Sequence, residues 1–317
     1  MIILIALFVA SYAASILYIY RFRGTERYSH FGEYIRKGWP IFAPFNCLLY
    51  TQTKSEARKP LMSAELLAEL KILQDNWQVI REEAIAIRES QQFDKARNPD
   101  SVAYYDIGFR TFFKRGWSKF YLSWYGYTHD SAKRLCPKTI ELVSQLKCVN
   151  GAMFSILPPG GELTRHLDPF ACSFRYHLGL DTPNCESCFI DIDNNKQSWR
   201  DGEAFMFDET YIHYAQNNSD CDRLILMCDV ERPMGFVGRF FNRVYKLAMR
   251  LMIVPNTEED RRGVGSRIFS NLNAFFAASK KLKQTNRPLY KVVKFVFNSV
   301  LAALIIGLFY LPFYLFS

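Results

Sequence analysis

Ser173-Phe-Arg-Tyr-His-Leu-Gly-Leu180 is the stretch on which the fold class turns. Phe174, Tyr176 and Leu178 alternate with Arg175 and His177, the period of two that sends successive side chains to opposite faces of a strand. Working outward, Met153–Leu157, Cys188–Asp193, Ala204–Asp208 and Arg223–Val230 also read as strands. Asn194-Asn195 and Asp201-Gly202 supply turn chemistry between them. Short strands at close intervals from about residue 150 point to a β-sandwich or barrel. In so small a barrel, a face carrying Arg175 and His177 is either the lining of a pocket or a solvent face, and alternation does not choose between them.

Before residue 150 the period is helical. Leu66, Leu67, Leu70, Trp77, Ile80, Ala84 and Ile87 recur among charged positions, predicting a helix over Pro60–Ser90, and a second is expected at Pro137–Val149. After the strands, Arg239, Arg243, Lys246 and Arg250 form one stripe of a helix over Phe236–Val254. Phe236, Phe240, Phe241, Val244, Leu247, Leu251 and Met252 fill much of the rest. That pattern suits a helix lying in a membrane interface, or an ordinary surface helix packed on the barrel. Arg267–Lys283 repeats it.

The ends are apolar. Ile2–Tyr20 and Phe295–Ser317 contain no charged residue, and each approaches the ~20 residues that span a bilayer. Both are expected as transmembrane helices, with a cleaved signal ending near Ser11-Tyr12-Ala13 as the alternative for the first. The net charge of +9 is localised: nine basic and no acidic residues follow Asp260. Positive charge running into an apolar helix fits an anionic membrane surface better than nucleic acid. Arg21, Arg23 and Arg27 after the first run, with Lys291 and Lys294 before the second, place the intervening chain in the cytoplasm. The eight cysteines form no disulfide framework in a chain this long, and Cys185-Glu-Ser-Cys188 reads as loop sequence.

His166-Leu-Asp168 with the distant His213 is a two-histidine, one-carboxylate set. Two neutral imidazoles and a carboxylate suit one face of an octahedral Fe(II), leaving positions for a bidentate 2-oxoacid and for oxygen, although zinc accepts the same side chains. His166-x-Asp168 falls at a strand–loop edge after Pro158-Pro-Gly-Gly161. His213 is expected in the loop between the strand ending at Asp208 and the last strand. Arg223 opens an otherwise apolar strand, where a buried guanidinium calls for an anionic partner.

Ser155-Ile-Leu-Pro-Pro-Gly-Gly-Glu-Leu-Thr-Arg-His166, His177 eleven residues on, and His213 followed ten residues later by Arg223 together resemble the aspartyl/asparaginyl β-hydroxylase family. The resemblance implies a double-stranded β-helix (jelly roll), Fe(II), O2 and 2-oxoglutarate as co-substrate. It implies His166, Asp168 and His213 as catalytic iron ligands, and Ser155, His177 and Arg223 as contacts to 2-oxoglutarate. Some members lack the carboxylate ligand, which is present here. The runs His166-Leu-Asp-Pro-Phe170, Trp199-Arg-Asp-Gly-Glu203, Phe207-Asp-Glu-Thr-Tyr-Ile-His213 and Asp229-Val-Glu-Arg-Pro-Met234 look more like the branch that 2-hydroxylates lipid A acyl chains. That branch implies a membrane-lipid substrate and the cytoplasmic face of a bacterial inner membrane. Hydroxylation of Asp or Asn in proteins, or of another lipid such as an ornithine lipid, is the alternative; a non-catalytic membrane adaptor is disfavoured by the intact ligand set. Arg165, Arg175 and Arg200 are candidates for meeting a substrate anion, or else plain ion-pairing residues. The expected organisation is a transmembrane helix at 1–20, a juxtamembrane linker at 21–60 and a catalytic domain at 61–235 with its β core at about 150–235. Basic amphipathic membrane-surface helices at 236–290 and a second transmembrane helix at 291–317 complete it.

Overall fold

Alternating strands that bury both faces need a layer on each side, and this chain supplies one of helices and one of strands. The computed structural model describes residues 2–95, 97–99, 101–104, 106, 115–297 and 299. It divides into two units, Met1–Ser266 and Arg267–Ser317. In the first, the strands are β1 (Leu61–Ser63), β2 (Ser118–Trp124), β3 (Tyr127–Thr128), β4 (Val149–Leu157), β5 (Glu162–His166) and β6 (Ser173–Asp181). They continue with β7 (Cys188–Ile192), β8 (Asn195–Ser198), β9 (Ala204–Phe207), β10 (His213–Asn217) and β11 (Arg223–Glu231). A seven-stranded sheet runs β1-β9-β6-β11-β4-β2-β3 and faces a four-stranded sheet β5-β10-β7-β8. All these pairings are antiparallel, and the interleaving of β4 to β11 between the two sheets is the double-stranded β-helix.

The helices of this unit are α1 (Ile2–Leu17), α2 (Phe31–Lys37), α3 (Ala43–Gln52), α4 (Lys71–Asp75), α5 (Trp77–Glu89), α6 (Gln92–Lys95), α7 (Asp130–Leu135), α8 (Pro137–Ser144) and α9 (Phe236–Met249). The period of two divides the large sheet's residues between its faces. Phe154, Phe174, Tyr176, Leu178, Leu224 and Leu226 pack with Leu73, Ile80, Ala84 and Ile87 of α4 and α5. Full burial of such side chains contributes roughly 1.5–3 kcal/mol each. Met153, Leu157, Phe205, Phe207, Ile225 and Met227 point the other way, into the space between the sheets. β4, β6 and β11 pair in the register Ile225↔Ser155 and Met227↔His177, so Ser155, His177 and Arg223 lie on that same inner face. Arg175 and His177 therefore line the interior and not a solvent face. The second unit holds most of α10 (Val264–Thr285), and residues 287–297 are helical.

Several expectations require correction. No helix among the described residues is long and apolar enough to cross a membrane, so the transmembrane helices expected at the two ends are not found there. The N-terminal helix stops after 16 residues, where a π-helical turn, Tyr18–Phe22, takes over. At 1.5 Å per residue it is about 24 Å long, short of the ~30 Å hydrocarbon core. Residues 298 and 300–317 of the C-terminal run lie outside the described residues. The segment 21–60, expected as a linker, is folded: Tyr34, Leu49 and Tyr50 are buried and join Leu167 and Ile212 in one cluster. The helix expected over Pro60–Ser90 is interrupted: β1 pairs with β9, and Asn76 leaves helical geometry between α4 and α5. Hydrophobic spacing continued across these breaks because strand, turn and helix all face one core.

Candidate active site

Two neighbouring strands deliver the histidines. β5 ends at His166 and β10 begins at His213, and the two residues are paired in the register of these strands. Their rings lie 4.3 Å apart between centroids. His213 thus opens a strand and does not sit in a loop; the loop that precedes it is only Asp208–Ile212. Asp168, two residues past His166, is held by its backbone N–H, which donates to the Glu209 carbonyl at 2.8 Å. The ligand atoms of His166, Asp168 and His213 all fall within 4.8 Å of one another, a grouping able to hold a metal ion. His166 Nδ1 lies 2.8 Å from the Thr164 carbonyl, and His213 Nδ1 lies 2.9 Å from that of Tyr211. Each contact places the ring proton on Nδ1 and the lone pair on Nε2, the tautomer a metal requires. Burial, followed by the nearby His166, pushes His213 down to about 3, which keeps it neutral.

Beside this set lies a pocket of unmatched donors. Arg223 is fully buried, its guanidinium 4.8 Å from the Trp117 ring and 4.6 Å from the Trp199 ring. None of its three nitrogens has a hydrogen-bond partner among the described residues, and the same holds for Ser155 Oγ and His177 Nε2. Trp199 Nε1–H donates to His177 Nδ1 at 3.2 Å, so the histidine's own proton sits on Nε2. Burial, then the charge of Arg223, holds His177 well below the usual imidazole range and neutral. Burial also lowers Arg223, to about 10. Buried polar groups are ordinarily paired. A site built only of donors is matched by a carboxylate, so the residues present fit an oxoacid anion. The Phe207 ring links the two halves, 5.1 Å from His177 and 5.6 Å from His213.

The three arginines considered for a substrate anion have partners within the chain. Arg165 pairs with Glu26 at 2.7 Å, and Arg200 with Glu186 at 2.5 Å. Arg175 is surrounded by Asp168 at 3.2 Å, Asp229 at 2.6 Å and Glu209. Three carboxylates share one guanidinium, and burial raises Glu209 well above the usual carboxylate range and raises Asp229 as well. Among the described residues the cysteines at 185 and 188 join no metal-binding group, and all eight cysteines are free.

The turn carrying His213 has supports that local sequence does not announce. Asp208 accepts from Thr210 N–H at 3.0 Å and Thr210 Oγ1 at 2.6 Å, a side-chain-capped turn. Its carboxylate is then clamped by Arg232, at 2.7 and 2.9 Å, and by Arg23, at 2.8 Å. Arg23 lies between the rings of Tyr50 and Tyr211, 3.6 and 3.9 Å away. The sequence offered Arg23 only as part of the basic flank of the first apolar run, yet its side chain is buried against Asp208, 185 residues away. Asp208→Asn leaves two buried guanidiniums without their shared anion and should cost about 3–5 kcal/mol in denaturant unfolding. A loss below ~1 kcal/mol would mean that this clamp does not hold the turn.

Residues 74–233 match the family described as Aspartyl/Asparaginyl beta-hydroxylase. An ornithine lipid ester-linked acyl 2-hydroxylase of Rhizobium tropici is 35% identical over 127 residues, which is 40% of this chain and 45% of that protein. The aspartyl/asparaginyl beta-hydroxylase of Homo sapiens is 32% identical over 172 residues, 52% of this chain and 21% of that protein. The chain therefore spans less than half the length of either relative. Among solved structures, a prolyl-4-hydroxylase of Pseudomonas putida aligns with 53% of this chain and 98% of its own, at 16% identity and a TM-score of 0.34.

Proposed function

Because the chain belongs to the aspartyl/asparaginyl β-hydroxylase family, we propose that it is an Fe(II)- and 2-oxoglutarate-dependent hydroxylase acting on an acyl chain of a membrane lipid. The 2-position of a lipid A secondary acyl chain is the specific case. The observation that supports this reading most is the buried, all-donor set Ser155, His177 and Arg223 next to the His166, Asp168 and His213 grouping. His166, Asp168 and His213 would hold the iron, and Arg223, Ser155 and His177 would take a carboxylate of 2-oxoglutarate. Together with oxygen these supply an oxidant able to convert C–H to C–OH, with 2-oxoglutarate leaving as succinate and carbon dioxide. The chain's own residues hold the ligands in the required tautomers, fix Asp168 through Arg175, and line the interior with Phe205, Phe207 and Trp199.

An acyl substrate is favoured over an aspartate side chain because the arginines considered for a substrate anion are already paired: Arg165 with Glu26, Arg200 with Glu186, and Arg175 with Asp168, Glu209 and Asp229. None of the three is left to receive a substrate carboxylate, and Phe170, two residues past Asp168, lies 4.4 Å from Phe42 with the rings tilted by 44°. The ornithine-lipid relative supports the same class.

The test is mass spectrometry of extracted lipids from cells carrying the intact chain, the Arg223→Ala variant, or neither. One acyl chain should gain a single oxygen with the intact chain alone. If the lipids are unchanged while an Asp or Asn of a protein is hydroxylated, the protein-hydroxylase reading replaces this one.

A further inference from the structure

α9 wears its apolar side outward. Gly238 and Asn242 are buried, and Phe241 and Tyr245 pack inward: Phe241 lies 5.8 Å from Phe45 of α3, and Tyr245 lies 5.4 Å from Phe170. On the opposite side Phe236 is 78% exposed, Phe240 57%, Val244 51% and Leu247 55%. A helix placed on a core for water would show the reverse pattern. Arg239, Arg243 and Arg250 are exposed along one edge of that apolar face, and α9 contains no acidic residue. None of the three has a carboxylate partner among the described residues.

We infer that the outward face of α9 is a docking surface for an anionic lipid bilayer, with Phe236, Phe240 and Leu247 entering the headgroup region and the arginines reaching lipid phosphates. Charge and shape select this partner. Arginines flanking an apolar stripe let the stems lie along hydrocarbon while the guanidiniums stay at the polar boundary. α3 packs against both α9 and α1, and α1, which carries no charge, exposes Ile3, Leu7 and Phe8. Two separate exposed apolar faces in one helical layer suit a continuous apolar medium better than a protein ligand of fixed outline. The layer also grips the metal loop, because Asn46 of α3 donates to the Pro169 carbonyl at 2.9 Å and accepts from the Ala171 N–H at 3.0 Å. Docking would therefore bring the loop after Asp168 close to the lipid.

The inference goes beyond the reaction proposed above, and it is tested without turnover, so failure of either leaves the other standing. The full chain is mixed with vesicles of phosphatidylcholine alone or with added phosphatidylglycerol, and hydroxyl-radical footprinting reads the Phe236 and Phe240 rings directly. Both rings should be protected several-fold by the anionic vesicles at low salt and little by the neutral ones. Arg239→Ser with Arg243→Ser should weaken flotation with anionic vesicles at least about tenfold and remove its salt dependence. Phe236→Ser with Phe240→Ser should weaken it comparably while keeping the salt dependence. Neither pair should lower the unfolding midpoint, because all four side chains are exposed. Rings that stay fully reactive on vesicle-bound protein overturn the inference. So do rings protected before vesicles are added in a concentration-dependent way, which would mean that a second copy covers the face.

Discussion

His213→Ala should abolish Fe(II) binding and 2-oxoglutarate turnover while leaving a folded protein. Changes in groups that merely orient a ligand typically cost ten- to a hundredfold in affinity, so loss of a ligand itself should exceed about a hundredfold. The reasoning is geometric. His213 opens β10 opposite His166, its Nδ1 is committed to the Tyr211 carbonyl, and Nε2 is the atom aimed at the metal position. Removal of this ring takes one hydrogen bond from the turn but no member of the main apolar cluster. Metal binding and stability can be separated by measuring unfolding midpoints with and without Fe(II) under anaerobic conditions. Metal that binds only the folded state raises the midpoint of the intact chain. The His213→Ala and His166→Ala midpoints should not respond. An equal rise in either variant would remove these histidines from the ligand set. Asp168→Ala should also lose activity severely, with Arg175 then left to Glu209 and Asp229.

Arg223→Met should have opposite effects on stability and on function. Turnover should fall more than about a hundredfold, since the fork that would take the co-substrate carboxylate is gone. The same change should stabilise the protein in the absence of co-substrate by roughly 1–3 kcal/mol, because a buried charge without hydrogen bonds is replaced by an apolar side chain of similar length. The Trp117 and Trp199 rings offset part of the cost of burying Arg223, about 0.5–2 kcal/mol per favourable contact, which keeps the gain modest. For a chain of this size, 1 kcal/mol corresponds to about 2–4 °C in the midpoint. The intact chain should recover stability when 2-oxoglutarate is added with the metal, and the variant should not. If Arg223→Met unfolds earlier and still responds to 2-oxoglutarate, the guanidinium is a structural group and the donor pocket has been misassigned. These two experiments fail independently: the first probes the histidine pair, the second the donors one residue layer away.

The strands at Ser173, Cys188, Ala204 and Arg223 were legible because each alternates cleanly between two buried environments and ends in turn residues. β5, β8 and β10 were not. Glu162–His166 and His213–Asn217 are short and mixed in polarity, and they pair with each other across 47 or more positions, as in His213↔His166, with β7 as the other neighbour of β10. Local pattern therefore carries little of their free energy, which comes from the ladder they complete. His213 was placed in a loop for this reason. The apolar N-terminal run misled for a related one: hydropathy reports solvent preference, and Ile2–Tyr20 meets that preference partly against α3, in a helix that stops after 16 residues.

The sequence by itself determined the β class of residues 150–235, which side chains of each long strand share a face, and the residue types able to serve as ligands and anion contacts. Period, turn chemistry and side-chain chemistry are local properties, readable within a few residues. Only the tertiary structure decided that Ser155, His177 and Arg223 share one buried face, where Ser155 Oγ, His177 Nε2 and the Arg223 nitrogens have no hydrogen-bond partner among the described residues. It alone placed Arg175 among three carboxylates, and it alone showed that Arg23 from the N-terminal segment clamps the turn before His213. Those facts depend on strand register and on contacts across as many as 187 positions. Burial and pairing, which set the charge and stability of each group, exist only after the chain has closed upon itself.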